Sequence, residues 1–152
     1  MDSESKNALA LINSLEANKA RLQTFLVAMK TRCEPRITGA GSNLIFSKFP
    51  TCMQEPCSGA IHIEAHAEIK ASPNNKCVWW ELDLWWSEAC WFIEAQVGVD
   101  SDSEYGGTDS VINFPDRTAE TLSECISHID SATTDLISSG DAFDILQAYE
   151  NK

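Results

Sequence analysis

Cys52, Cys57, His62 and His66 are spaced C-x4-C-x4-H-x3-H, and all four are residue types that hold zinc. One ion needs every ligand within bonding distance of a single point. The segment "AIHIEAHAEIK" argues against that arrangement. Ile61, Ile63, Ala65, Ala67 and Ile69 alternate in it with His62, Glu64, His66, Glu68 and Lys70. Strict alternation marks a half-buried strand. Residues four apart on a strand lie about 13 Å from each other, too far to share one zinc. The spacing therefore predicts no bound metal, and no cofactor is expected. It places both histidines at the surface, paired with Glu64 and Glu68.

Carboxylates are the second candidate chemistry. Glu64, Glu68, Glu81 and Asp83 can form a cluster with shifted pKa values, as acid–base enzymes use. Nothing near them in the sequence encloses a dry pocket. No GxSxG, P-loop, HExxH or GxGxxG pattern occurs. His128, near Glu124 and Asp130 in a helical pattern, reads as a solvated surface residue. No catalytic residue is assigned and no enzyme is expected.

The tryptophans carry a stronger signal. "KCVWWELDLWWSEACWFIEAQVGV", residues 76–99, holds all five. Val78, Trp80, Leu82, Leu84 and Trp86 share one face of a strand, and Trp79, Glu81, Asp83 and Trp85 share the other. The chain returns with Trp91, Ile93, Ala95, Val97 and Val99 on one face and Phe92, Glu94 and Gln96 on the other. Pairing Trp86 with Trp91 sets Leu84 opposite Ile93 and Leu82 opposite Ala95. A slip of one residue would push Glu94 into the core. Trp80 and Trp86 are thus expected in the core, and Trp79 and Trp85 on an open, acidic face. Aromatics inside a charged rim suit a protein-binding surface. Cross-strand aromatics also stabilise exposed sheets with no partner at all. The candidate partner-binding residues are Glu64, Glu68, Trp79, Glu81, Asp83, Trp85 and Glu94. Asp100, Asp102 and Glu104 from the acidic loop "DSDSEYGGTDS" join them.

Elements on either side must position these strands. From Ser5 to about Met29, Ala8, Ile12, Leu15, Leu22, Phe25, Leu26 and Met29 recur at helical steps. "CEPRITGAGSN" breaks that helix with Pro35, Gly39 and Gly41. "NLIFSKF" is expected as a short strand stopped at Pro50, and "VINF" as an edge strand stopped at Pro115. "DRTAETLSECISHIDSATTDLISSG" predicts a second helix, capped by Asp116 or Thr118 and closed by Gly140. Asp141 starts a short last helix with Phe143, Ile145, Leu146 and Tyr149. The expected fold is an α+β two-layer sandwich in one domain over 1–152. Its antiparallel sheet has three to five strands, with the N-terminal and C-terminal helices packed on one face.

Charge narrows the partners. The formal net charge is −12. Residues 1–50 carry seven Lys/Arg against four Asp/Glu, whereas residues 51–152 carry four against nineteen. Direct binding to nucleic acid or an anionic membrane needs a basic footprint, so neither is expected. A basic protein partner is compatible. The N-terminus has no signal-peptide pattern, and no apolar run is long enough to span a membrane. Cys33, Cys52, Cys57, Cys77, Cys90 and Cys125 include no CxxC, which fits reduced thiols in a cytoplasm. A Cys52–Cys57 disulfide stays open as an alternative.

The segments "CVWWELDLWW", "CWFIEAQV" and "INFPDRTAETLSECISHI" carry a resemblance over about a third of the chain. With their tryptophan-bearing strand pair, aromatic-Pro-Asp entry to a helix and acidic balance, they resemble the immunity proteins of bacterial polymorphic-toxin systems. Those systems include contact-dependent growth inhibition. The resemblance implies a cytoplasmic protein that binds a toxin domain delivered by a neighbouring cell and blocks its active site. Many such toxins are nucleases with basic clefts, which an acidic surface would complement. A type III secretion chaperone is the alternative, being also small, acidic and α+β. A homodimer would favour the chaperone and a monomer the immunity protein; a monomer is expected.

Overall fold

The computed structural model describes residues 3–48, 59–71, 74–87, 89–101 and 106–151. A long helix α1 (Ser3–Cys33) precedes strands β1 (Ile37–Lys48), β2 (Gly59–Ile69), β3 (Lys76–Ser87) and β4 (Cys90–Asp100). Strands β5 (Thr108–Asn113) and β6 (Arg117–Ala119) follow, then helices α2 (Leu122–Ser138) and α3 (Ala142–Glu150). The sheet is antiparallel in the order β1-β2-β3-β4-β5. β6 pairs with Trp91–Ile93 of β4, continuing the edge that β5 occupies along Gln96–Asp100. The fold is thus α+β, with an N-terminal helix, a six-stranded antiparallel sheet and two C-terminal helices.

All three helices cover one face of the sheet. Ile63, Ala65, Ala67, Val78, Trp80, Leu82, Leu84, Ile93, Ala95 and Val97 point into that layer and are buried. From the helices they meet Leu15, Leu22, Leu26, Met29, Cys125, Ile129, Leu136 and Ile145. Trp80 is the largest fully buried side chain. Its ring meets Phe25 of α1 edge-on, with centroids 5.6 Å apart, and its Nε1 donates to Ser139 Oγ at 3.3 Å. The central register is the expected one. Trp86 faces Trp91, Leu84 faces Ile93 and Leu82 faces Ala95.

Several boundaries differ from expectation. β1 starts at Ile37, so Gly39 and Gly41 lie within a strand. They fall on the open face opposite Glu68 and His66, where no core packing is lost by omitting a side chain. Neither Asp116 nor Thr118 caps α2. Arg117–Ala119 pairs with β4 instead, burying Ala119, and Thr121 is the cap. Thr121 Oγ1 accepts from Glu124 N–H at 3.2 Å, in a T-x-x-E spacing. α3 begins where expected, with a reciprocal capping box between Asp141 and Asp144.

On α1 the buried stripe runs through Leu11, Leu15, Asn18, Leu22, Leu26 and Met29, while Ala8 and Ile12 are exposed. Asn18 is the polar member that hides this stripe from a hydrophobic pattern. Its Nδ2 donates to Ser14 O and to Asp130 Oδ1, both at 2.8 Å. Its Oδ1 accepts from Arg21 Nη1 at 3.0 Å, and Arg21 Nη2 donates to Thr134 Oγ1 at 2.8 Å. A fully bonded polar group fixes how α1 sits on α2 without the cost of an orphaned amide.

Candidate partner-binding face

The sheet face away from the helices carries most of the residues marked out by the sequence. Cross-strand pairing sorts them into rows. Glu64 of β2, Glu81 of β3 and Gln96 of β4 form one row, and His62, Asp83 and Glu94 form the next. On one side of these acids lie His66, Trp79 and Gly98; on the other lie Trp85 and Phe92. Trp79 and Trp85 are six residues apart on β3, which separates them by about 20 Å. A strip of carboxylates therefore lies between two aromatic clusters.

Each cluster is held by its neighbours. Trp79 lies beside His66, ring centroids 5.4 Å apart, and its Nε1 donates to Asp100 Oδ1 at 2.8 Å. Asp100 Oδ2 accepts from the Cys77 backbone N–H at 2.9 Å. Asp100 is thus fixed to the Trp79 cluster at the end of β4; Asp102 and Glu104 lie outside the described residues. Trp85 stacks on Phe92 nearly parallel, at 5.5 Å and 9°. Both open-face tryptophans are half-buried by these contacts.

Two residues sit differently from expectation. Trp86 points to the helix side but is 37% exposed, since it lies at the end of the β3–β4 hairpin where the layer above it thins. It meets Trp91 edge-on at 5.0 Å. With Ala8, Leu11 and Leu122 the two rings line an open apolar groove of about 570 Å³. The histidines do not pair with Glu64 and Glu68. Residues two apart on a strand are neighbours along the chain, whereas closer contacts run across the ladder. His62 Nδ1 accordingly contacts Asp83 Oδ1, its register partner, with Glu81 Oε1 at 3.8 Å. Glu68 instead accepts from Thr38 Oγ1 and Asn75 Nδ2.

The acids perturb one another. Burial pushes the Glu81 carboxyl up to about 7, helped by a hydrogen bond and charge repulsion from Asp83. A hydrogen bond from Gln96 and the nearby His62 oppose that rise. Burial also raises Glu94, with Asp116 and Glu81 adding repulsion. A protonated Glu81 beside Asp83 lets two carboxyls share one proton in place of a cation.

Of the four residues in the C-x4-C-x4-H-x3-H spacing, Cys52 and Cys57 lie outside the described residues. His62 and His66 are engaged by different neighbours, Asp83 and Trp79. Among the described residues one set has the spacing of cation ligands: His62, Glu81 and Asp83, with ligand atoms within 4.8 Å of one another. It joins two adjacent strands, so no linear motif announces it.

A pocket of about 280 Å³ opens beside Trp79, lined by Glu64, Glu81, Gln96, Gly98, Thr108 and Ser110 as well as the tryptophans. Gly98 lets β5 approach closely here. At this point the β4–β5 register shifts, and a Cβ on Gly98 would meet Thr108 Cγ2 at 2.7 Å and Asp109 O at 2.9 Å. No side chain fits there, because Thr108 and Asp109 of β5 close over Gly98. β5 thus comes close enough for Thr108 and Ser110 to line the pocket beside Trp79, the register partner of Gly98.

Cys33, Cys77, Cys90 and Cys125 are free thiols. Burial pushes Cys125 up to about 12 and also raises Cys77, where Asp100 and Glu68 add repulsion. High pKa values leave both thiols poor nucleophiles. Among the described residues no helix is long and apolar enough to cross a membrane. Comparison with family models, curated proteins and solved structures finds no match for this chain.

Proposed function

We propose that the chain is an immunity protein that binds a basic bacterial toxin domain through the open face of its sheet and blocks it. One observation supports this above the others. The uncovered face concentrates Glu64, Glu81, Asp83 and Glu94 between two aromatic clusters, Trp79 with His66 and Trp85 with Phe92. The carboxylates give a field that attracts a basic cleft, and the half-buried rings give anchors that are already ordered before docking. Preorganised anchors lose little side-chain freedom on binding. The proposed setting is the cytoplasm of the protected cell.

The test is co-production with the toxin domain encoded beside its gene. Growth should be restored and a complex of one chain with one toxin should be recovered. A Trp79→Ala/Trp85→Ala variant that stays folded should lose both. A chain that neither restores growth nor forms that complex would end this proposal.

The apolar groove between Trp86 and Trp91 favours a second function, a secretion chaperone holding an effector segment. That class works as a homodimer. Light scattering of the purified protein separates the two, since a stable dimer supports the chaperone and a monomer the toxin inhibitor.

A further inference from the structure

We propose that the pocket beside Trp79 receives one arginine side chain of the bound protein partner. This rests on the toxin-binding function above and names the contact at its centre. Three features select the ligand. The first is shape: the Trp79 ring forms one wall of the pocket, and Gly98 of β4 with Thr108 and Ser110 of β5 lines another. A flat guanidinium stacks on such a wall. The second is charge. Glu64 and Glu81 face each other across β2 and β3 and both line the pocket. No Lys or Arg is among the described residues that line it. The third is hydrogen bonding. Gln96, Thr108 and Ser110 complete the wall with oxygen acceptors. A guanidinium has five N–H donors in a fixed plane and no acceptor, so it matches a pocket of carboxylates, hydroxyls and an amide oxygen.

The pocket is also held in place before any ligand arrives. Asp100 fixes the indole through Nε1, His66 supports its β2 side, and Gln96 Nε2 donates to Glu81 Oε2 at 3.3 Å. A cation entering here meets two facing carboxylates, Glu64 and Glu81.

The experiment uses the purified full chain and three small probes: N-acetyl-arginine amide, N-acetyl-lysine amide and the neutral N-acetyl-citrulline amide. The reporter is the Trp79 indole N–H resonance in a nitrogen–proton correlation spectrum, assigned with Trp79→Phe. The arginine probe should shift it saturably with a Kd on the order of 1–10 mM, the range open to a ligand of this size. The lysine probe should bind at least about threefold more weakly, because an ammonium cannot stack flat or bond bidentately. Citrulline, equal in shape but uncharged, should give no saturable shift. Glu64→Gln should weaken arginine binding by about fivefold or more while the spectrum stays folded.

Equal shifts by arginine and citrulline would overturn the assignment, as would no saturation by the arginine probe. A preference for lysine would overturn it too. No toxin enters this titration, so its failure removes the arginine pocket and leaves toxin binding standing. A failed toxin complex with a successful titration removes the immunity function instead.

Discussion

Asp100 accepts two hydrogen bonds with its two oxygens, one from the Trp79 indole at 2.8 Å and one from the Cys77 backbone at 2.9 Å. It thereby ties the end of β4 to the start of β3 and sets the angle of the Trp79 ring. Asp100→Asn keeps one acceptor oxygen and should cost about 1 kcal/mol of stability, and Asp100→Ala about 2 kcal/mol. Glu104→Gln, in the acidic segment read from the sequence as a loop, should stay within about 0.5 kcal/mol of the parent. Denaturant melts measure all three. An Asp100→Ala variant as stable as the parent would show that this bond does not hold the hairpin.

The tryptophans should separate into classes by truncation. Trp80 is fully buried beneath α1, and Trp80→Ala should cost about 3–5 kcal/mol. Trp86→Ala should cost less, about 1–2 kcal/mol, because the ring is already more than a third exposed. Trp79→Ala and Trp85→Ala should each cost about 1 kcal/mol through their lost ring contacts with His66 and Phe92. Urea midpoints order the four. Trp86→Ala as damaging as Trp80→Ala would mean that the groove closes over Trp86 in solution.

The central hairpin was legible because period-two alternation and a costly Glu94 exclude a one-residue slip, and a short loop then pairs Trp86 with Trp91. Its depth at the tip was not, since alternation assigns a side and says nothing of how far the helices extend. That is why Trp86 was expected to be as buried as Trp80. β6 was hidden for a different reason. "DRTAETL" carries good helix-entry residues, and only pairing of Arg117–Ala119 with Trp91–Ile93 overrides them. Cross-strand chemistry such as His62 with Asp83 follows from register, whereas the sequence pattern drew attention to His62 and Glu64, two apart on one strand.

Glu81 should make stability depend on pH. Its ordinary value is 4.5 and the folded value is about 7, so between those limits the folded state holds a proton that the unfolded state has lost. Stability from this group is therefore highest below pH 4.5 and falls as pH rises through 7. The carboxyl is 29% exposed, so the loss should be on the order of 1–3 kcal/mol, with solvent screening favouring the lower end. Glu94 is raised as well and adds in the same direction. Glu81→Gln removes the titration and should flatten the slope between pH 5 and 8, leaving the variant more stable than the parent at pH 8. An unchanged slope would show that Glu81 ionises without cost.

Acids and aromatics should act on different steps of binding. Asp102 and Glu104 lie in the acidic sequence segment "DSDSEYGGTDS", and replacing both with amides should remove long-range attraction without removing an anchor. The change should mainly slow association with a basic toxin and weaken its dependence on salt. Trp85 acts at contact. Its ring stacks on Phe92 at 9°, so a partner meets a flat, ordered surface of two rings. Trp85→Ala should leave association nearly unchanged and speed dissociation by about 30-fold, equivalent to about 2 kcal/mol. Surface-immobilised toxin with the two variants in flow, at low and high salt, measures both rates. The division of labour fails if the Asp102/Glu104 variant alters dissociation alone, or if Trp85→Ala slows association and leaves the lifetime of the complex untouched.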